Sequence, residues 1–155
     1  MRYIIISTHY PYHGGIVDFV EALRKSLIGM GNEVEVVTFK RQYFGRYEKP
    51  GSADIGNRWI DTLNPWTWLR TAAEVATYEP DVVIFKYWHP YFALCFGTIS
   101  RLLKGCQRLV IIDNVHPHEW FPFSAVLTKW FFRGADKFIC MSKKTEADLL
   151  ALGIL

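Results

Sequence analysis

The chain has 155 residues, of which 50% are hydrophobic and 21% are charged, with a formal net charge of +3. Intrinsic disorder needs low hydrophobicity and high net charge, so this composition excludes it, and glycines and prolines scattered without a period exclude a fibre. The length fits one ordinary domain rather than two full-sized ones. A mild basic excess is less than nucleic-acid binders usually carry, so we expect no nucleic-acid partner.

Short apolar runs alternate with segments of helical periodicity along the chain. The sequence predicts strands at residues 2–7, 34–37, 58–61, 82–85, 109–112 and 137–141. It predicts helices at residues 16–30, 65–78 and 122–133, one that follows residue 90 and ends near residue 104, and one from residue 143 onward. It also predicts a long surface loop at 39–56. Strands that are apolar on both faces and separated by helices are typical of a covered parallel sheet. We therefore predict an α/β fold with a Rossmann-like, doubly wound parallel sheet and helices on both faces.

All five histidines follow predicted strands. They are His9, His13, His89, His116 and His118. Ligands of open α/β sheets bind beyond the carboxyl ends of the strands, so these imidazoles could line a polar crevice and carry protons. Histidines that are merely solvated in polar loops are the alternative interpretation.

Gly14 and Gly15 begin the first predicted helix. Glycine lets a ligand approach the backbone closely, and the N–H groups at a helix N-terminus favour an anion such as phosphate. The pair is not part of a G-x-G-x-x-G motif, so the dinucleotide-binding fingerprint is absent. A tight strand-to-helix turn without a ligand would also explain both glycines.

The densest polar cluster lies between Asp113 and Glu119 and also contains Asn114, His116 and His118. Metal ligands crowded into one loop, with no partner pattern on a helix, make a poor metal signature. We therefore expect no metal, and instead a carboxylate and imidazole site that faces a hydroxylated substrate.

Two segments, residues 40–49 and 120–133, combine aromatic and basic side chains. Aromatic residues at helical spacing usually belong to the core, but the excess over one face would also suit a peripheral contact with an anionic membrane. A solvated loop with one or two rings beneath it is the alternative. The three cysteines form no CxxC pair, and no apolar run approaches the ~20 residues that span a bilayer, so we expect a cytoplasmic protein with free thiols.

Three segments carry a family resemblance when they are taken in order. Residues 10–16 and 31–38 are similar to a Tyr-Pro-Pro-x-x-Gly-Gly segment that is followed by a helix and Gly-His-Glu-Val, with Asn32 in place of the histidine. Residues 113–119 resemble His-Asn-Val-x-Pro-His-Glu, with Asp113 in place of the first histidine, and residues 134–142 resemble an Ala-Asp-x-hydrophobic strand followed by serine. The chain thus resembles the N-terminal domain of group 1, or family 4, retaining glycosyltransferases of the GT-B fold.

This resemblance implies the transfer of a sugar from a nucleotide sugar to a sugar or lipid-linked acceptor hydroxyl with retention, without a metal or another cofactor. Gly14 and Gly15 would lie near the donor diphosphate and the acceptor. Asp113 would accept the acceptor's proton, or His116 or His118 would take that role. The other expected substrate-binding residues are His13, His89, Asn114 and Glu119.

Enzymes of this family also need a second, donor-binding domain with a Glu-x7-Glu motif, to which nothing in the sequence corresponds. We therefore expect residues 1–155 to form a single acceptor-side domain, cut short, that is inactive in isolation. Cell-envelope polysaccharide synthesis at the inner face of the membrane is the expected setting. The alternative is a non-catalytic module that binds an acceptor or docks a partner and needs a separate donor-binding chain.

Overall fold

The computed structural model describes residues 1–44, 57–116 and 121–154. Strands and helices alternate through this part of the chain, except that the second and third strands follow each other with no described helix between them. The strands are β1 (Arg2–Ile6), β2 (Glu33–Arg41), β3 (Asn57–Asp61), β4 (Val82–Tyr87), β5 (Gln107–Ile112) and β6 (Lys137–Cys140). The helices are α1 (Gly15–Gly29), α2 (Pro65–Thr77), α3 (Ala93–Leu102), α4 (Ser124–Phe132) and α5 (Lys143–Ala151), and a single 3-10 turn (Pro90–Phe92) precedes α3.

The six strands form one sheet in the order β3-β2-β1-β4-β5-β6. Every neighbouring pair is parallel. The chain builds outward from β1 to β3 and then returns to the other side of β1 with β4, so the order reverses between β1 and β4. The prediction of a Rossmann-like, doubly wound parallel sheet is confirmed.

Two hydrophobic layers enclose the sheet. On one face, Ile5 of β1 and Ile84 of β4 belong to a cluster with Val20 of α1. On the other face, Ile4 and Phe85 belong to a larger cluster to which helices α2 to α5 contribute. Because successive side chains of a strand point to opposite faces, apolar runs without alternation are what a sheet covered on both sides requires.

The predicted helix ends depend on local hydrogen bonds that the structure contains. Gly31 follows α1 with a φ of 83°, a conformation that favours glycine. Asn64 caps α2 by accepting a hydrogen bond from the backbone N–H of Trp66. Ser142 caps α5 by accepting one from the backbone N–H of Thr145. These caps satisfy N–H groups that have no partner inside the helix.

The prediction of a surface loop at residues 39–56 is wrong at its start. Residues 39–41 belong to β2, and the Phe39 side chain is fully buried in the core. The tyrosines, lysines and arginines that follow gave this stretch a polar character, while burial of the Phe39 ring favours continuation of the strand. The remainder of that prediction, residues 45–56, lies outside the described residues.

The aromatic residues of α4 mostly belong to the core, as their spacing predicts. Phe131 and Phe132 are fully buried. Trp130 packs so closely on Gly97 of α3 that a Cβ added at Gly97 would overlap the indole ring. Arg101 also stacks on the Trp130 ring, with its guanidinium carbon 4.1 Å from the ring centre. Small size at Gly97 therefore sets how closely α3 and α4 approach.

Candidate functional site

A cavity of about 300 Å³ opens at the carboxyl ends of β1, β2 and β4. It thus lies next to the reversal of strand order, which is the usual ligand site of open α/β sheets. Its walls come from the segment between β1 and α1, from the residues after β2 and from the residue after β4. We call this cavity the switch-point pocket; it is lined by Thr8, Tyr12, His13, Gly14, Gly15, Ile16, Gln42, Tyr43 and Trp88.

Gly14 and Gly15 form the floor of the switch-point pocket at the N-terminus of α1. Gly14 has a φ of 123° and a ψ of 175°, a conformation that is essentially restricted to glycine. A Cβ on either glycine would meet nothing within 4 Å, so the space above the backbone is open. Among the described residues no side chain caps α1, and the first N–H groups of the helix can therefore serve a ligand. The site thus has the backbone geometry of an anion-binding helix start.

Several lining residues carried no signal in the sequence analysis. Thr8 donates a hydrogen bond of 2.8 Å through Oγ1 to Gln42 Oε1, which ties the end of β1 to the end of β2. Trp88 donates one of 3.3 Å through Nε1 to the Tyr43 hydroxyl, which joins the ends of β4 and β2. Only the rule that ligands bind beyond strand ends could have selected these positions from sequence.

His9 does not contribute an imidazole to the crevice. Its side chain is fully buried, and its Nε2 lies 3.1 Å from Oε2 of Glu21 on α1. Burial favours a higher pKa for Glu21, but the hydrogen bond with His9 and the charge of Arg24 outweigh it, so this pKa lies below its ordinary value. The expectation that His9 joins a polar crevice is wrong, because pairing with a buried carboxylate holds it beneath α1.

The other histidines of the described residues occupy three different environments. His13 is exposed and lines the switch-point pocket. His89 accepts a hydrogen bond of 3.1 Å at Nδ1 from the backbone N–H of Tyr91, and its ring packs edge-on against Phe121. It therefore caps the 3-10 turn before α3. His116 is exposed in the segment after β5 and does not line the pocket.

Asp113 forms an ion pair that the sequence analysis did not anticipate. Its Oδ1 accepts a hydrogen bond of 2.6 Å from Nζ of Lys86, whose side chain is only 2% exposed. The ammonium group also lies 4.1 Å from the centre of the Phe19 ring. The second oxygen, Oδ2, is buried and has no hydrogen-bond partner among the described residues. Lys86 belongs to β4, which extends beyond the predicted strand at residues 82–85 and ends at Tyr87.

The remaining predicted site residues lie apart from the pocket or outside the described chain. Asn114 is partly buried next to Asp113, and neither of them lines the pocket. His118 and Glu119 lie outside the described residues. Within the described residues, no three histidine, cysteine, aspartate or glutamate side chains group as metal ligands. The structure thus brings His13, Gly14 and Gly15 together, and it keeps the described part of the Asp113 segment at the neighbouring strand end.

Comparison with known proteins identifies the family. Residues 13–154 match the model of Glycosyltransferase Family 4. A crystal structure from Listeria monocytogenes, assigned as a UDP-N-acetylglucosamine 2-epimerase, has a similar fold, with a TM-score of 0.60 and 17% sequence identity. That similarity covers 99% of this chain and 42% of the other, so the chain spans less than half the length of this relative. No curated protein matches the sequence significantly.

The family match includes most of the switch-point pocket and the whole segment from β2 to α5. The resemblance stated from the sequence motifs is therefore confirmed, and so is the fold that it implied. The chain belongs to glycosyltransferase family 4 and has the Rossmann-like architecture of the N-terminal domain of a GT-B enzyme.

Proposed function

We propose that this chain is the acceptor-side domain of a retaining glycosyltransferase, which transfers a sugar from a nucleotide sugar to a sugar or lipid-linked acceptor hydroxyl. The observation that carries the proposal is the switch-point pocket, which lies at the glycine-formed start of α1 in a domain of glycosyltransferase family 4. The reaction needs a place for the diphosphate of the donor and a place for the hydroxylated acceptor, and the pocket offers groups suited to each.

The two glycines at the start of α1 suit the diphosphate. Backbone N–H groups at the start of α1 present partial positive charge, and the helix dipole adds to it. The described residues that line the pocket include no aspartate or glutamate that would repel phosphate. Because Gly15 has no side chain above it, a phosphate oxygen can come within hydrogen-bond distance of the backbone. Gly14 and Gly15 are therefore the residues that we assign to the donor.

The other residues that line the pocket suit a sugar. Tyr12, Tyr43 and Trp88 supply aromatic surface, on which the apolar face of a sugar ring can pack. Thr8 and Gln42 keep their mutual hydrogen bond, and the lone pairs of the Thr8 hydroxyl and the amide N–H groups of Gln42 can bond to sugar hydroxyls. His13 adds an exposed imidazole to the lining of the pocket. We assign these groups to the acceptor, together with the Asp113 segment beyond them.

Asp113 is the first candidate for handling the acceptor's proton. Lys86 binds Oδ1, and Oδ2 is buried in this structure, so the Asp113 segment must move to expose Oδ2 before it can accept a proton from the acceptor hydroxyl. His116 and His118 are the alternatives for this role, and Asn114, His89 and Glu119 remain proposed substrate-binding residues. Nothing in this assignment requires a metal or another cofactor.

The Lys86–Asp113 pair also favours a second candidate function. A carboxylate that neutralises a buried ammonium group can be retained for stability alone. In that case the domain would bind an acceptor or dock a partner without catalysing transfer, and a separate chain would bind the donor. We expect the isolated 155-residue chain to be inactive under either candidate function.

The first experiment tests the pocket assignment. Proton–nitrogen NMR spectra of the labelled chain are recorded during titration with nucleoside diphosphates, nucleotide sugars and oligosaccharides. We expect saturable shifts of the Gly14 and Gly15 amides with diphosphates, and a loss of those shifts in Gly15→Val. Gly29→Val in α1, where a Cβ also meets nothing within 4 Å, serves as the control. Shifts that are absent for every diphosphate, or that persist in Gly15→Val, would contradict the donor assignment.

The second experiment tests the reaction. The second assay uses the full product of the gene and measures sugar transfer from a panel of radiolabelled nucleotide sugars. The anomeric configuration of the product is determined by NMR. A product with the anomeric configuration of the donor supports a retaining reaction, and an inverted product contradicts it. A lack of transfer by a protein that still binds acceptor oligosaccharides would favour the non-catalytic module.

A further inference from the structure

Gln42 contributes a buried amide group to the lining of the switch-point pocket. The residue is only 7% exposed, although it lines the pocket. Its Oε1 accepts the hydrogen bond from Thr8, and its Nε2 has no hydrogen-bond partner among the described residues. A ligand that covers these N–H groups displaces water from them, so it binds well only if it supplies an acceptor in return. Gln42 therefore offers hydrogen-bond donors to a ligand.

Tyr43 offers a second donor to the same pocket. Its hydroxyl oxygen accepts the hydrogen bond of 3.3 Å from Trp88 Nε1, so the hydrogen of the Tyr43 hydroxyl is not used in this contact. Within the described part of the chain, no acceptor is bonded to that hydrogen. The donors of Gln42 and Tyr43 are both uncharged, and together they favour a ligand group that accepts hydrogen bonds.

The rings of Tyr43 and Trp88 pack on the hydrophobic core behind the pocket. Phe92 is fully buried, and its ring centre lies 5.5 Å from that of Tyr43 and 4.4 Å from that of Trp88. Rings that pack on a buried side chain and are joined by a hydrogen bond lose little freedom when a ligand arrives. The pocket therefore presents an ordered apolar surface together with its donors.

The lining around Gln42 carries no fixed charge. None of the described residues that line the pocket is a lysine, an arginine, an aspartate or a glutamate. His13 can acquire a charge, but it is exposed to solvent next to Gly14. A carboxylate or an ammonium group that moved from water to the aromatic rings would lose hydration without gaining a counter-ion. A neutral group with an acceptor oxygen and a small apolar part avoids this loss.

We propose that Gln42 makes the switch-point pocket selective for an acceptor sugar that carries an acetamido group. The carbonyl oxygen of that group has two lone pairs and no hydrogen, so it matches the donors of Gln42 and Tyr43. Its methyl group packs on the aromatic surface that Tyr43 and Trp88 provide. A sugar hydroxyl in the same place could accept these hydrogen bonds, but it would lack the apolar contact, and its own hydrogen would need an acceptor.

The test is an NMR titration of the labelled chain with simple methyl glycosides. Those of N-acetylglucosamine, glucosamine and glucose differ at one carbon, and the galactose series repeats the comparison with another ring configuration. In at least one series we expect the acetamido sugar to bind at least about tenfold more tightly than the parent hexose, since it gains a hydrogen bond and a methyl contact. It should also shift the side-chain N–H signals of Gln42 and Trp88, and the amino sugar should bind no better than the hexose.

Two variants test the donors separately. Gln42→Met keeps a side chain of similar length and removes both N–H groups, so the preference for the acetamido sugar should fall to about threefold or less. Tyr43→Phe keeps the ring and removes the hydroxyl, and it should lower the preference by about two- to threefold. The control Gln107→Met makes the same replacement at the exposed start of β5, and it should keep the wild-type preference. Tyr43→Phe still tests the proposal if Gln42→Met does not fold.

Equal affinities for the acetamido sugar and the parent hexose in both series would overturn the proposal. So would tighter binding of the amino sugar, or a preference that both variants leave unchanged. The inference rests on the proposed function, because it names the acceptor class of the same pocket, but the two can fail separately. Selective binding without sugar transfer by the full gene product would contradict the transferase proposal alone. Transfer to acceptors without any preference for an acetamido group would contradict this inference alone.

Discussion

Replacement of Asp113 is expected to destabilise the domain strongly, whatever its part in catalysis. The Lys86 side chain is only 2% exposed, and its ammonium group donates a hydrogen bond of 2.6 Å to Asp113 Oδ1. In Asp113→Asn the buried ammonium group of Lys86 loses its counter-ion and faces a neutral amide instead. Removing one partner of a buried ion pair costs about 3–5 kcal/mol. That is a large part of the roughly 5–15 kcal/mol by which domains are stable.

The reverse replacement should cost much less. Lys86→Met removes the buried charge and keeps the packing against Phe19, while the Asp113 side chain is 26% exposed and can be hydrated in part. The double variant Lys86→Met/Asp113→Asn should then return to within about 1 kcal/mol of the wild type, because a neutral pair of similar volume replaces the ion pair. Urea unfolding at pH 7, followed by circular dichroism, measures all four proteins.

Two results would refute this reasoning. One is a cost below about 1 kcal/mol for Asp113→Asn, which would show that the Lys86 charge does not depend on its partner. The other is additivity in the double variant, which would show that the two side chains do not interact. If the predicted pattern is found, loss of activity in Asp113→Asn alone does not identify a catalytic residue. The stable double variant is then the protein in which catalysis should be measured.

Three further changes separate local causes of stability. Gly14→Ala should destabilise by about 1–3 kcal/mol because its φ of 123° strains any side chain, whereas Gly15→Ala should gain up to about 1 kcal/mol; equal thermal shifts would contradict this difference. Gly97→Ala forces a Cβ into the neighbouring indole and should cost about 1–3 kcal/mol, and wild-type stability would show that the ring moves aside freely. The hydrogen bonds from Arg108 hold the pKa of Asp136 below its ordinary value. The free energy of unfolding of the wild type should therefore exceed that of Asp136→Asn by up to about 1 kcal/mol at pH 7. That advantage should disappear as pH falls through the lowered pKa, and a difference that is constant with pH in urea unfolding would exclude the ion pair as its cause.

The strands and helix ends could be predicted because their causes are local. The apolar run at residues 82–85 is buried on both faces of the sheet, and Asn64 and Ser142 cap the helices that they precede. The parallel order then places every strand end on one edge, which is enough to predict where a ligand binds. The glycine start of α1 was predictable for the same reason, since its signal lies within two adjacent residues.

The walls of the site and its ion pair could not be predicted, because they join segments that are distant along the chain. Gln42 and Trp88 enter the pocket only through the pairing of β1 with β2 and β4. In the sequence Lys86 indicates the end of an apolar strand, because a lysine is rarely buried without a counter-ion. Its counter-ion is Asp113, which lies 27 positions later in the chain. His9 illustrates the opposite error. Its place after a strand suggested a crevice, but Glu21 on α1 determines where the ring lies.

The buried contact between His9 and Glu21 affects how ligands enter the switch-point pocket. The His9–Glu21 contact joins the segment between β1 and α1 to the helix α1. The hydrogen bond from Thr8 to Gln42 joins the same segment to the end of β2. The wall is thus ordered before a ligand arrives, and little binding free energy is lost in ordering it. Association should therefore proceed in one step whose rate rises linearly with ligand concentration, without a slow rearrangement.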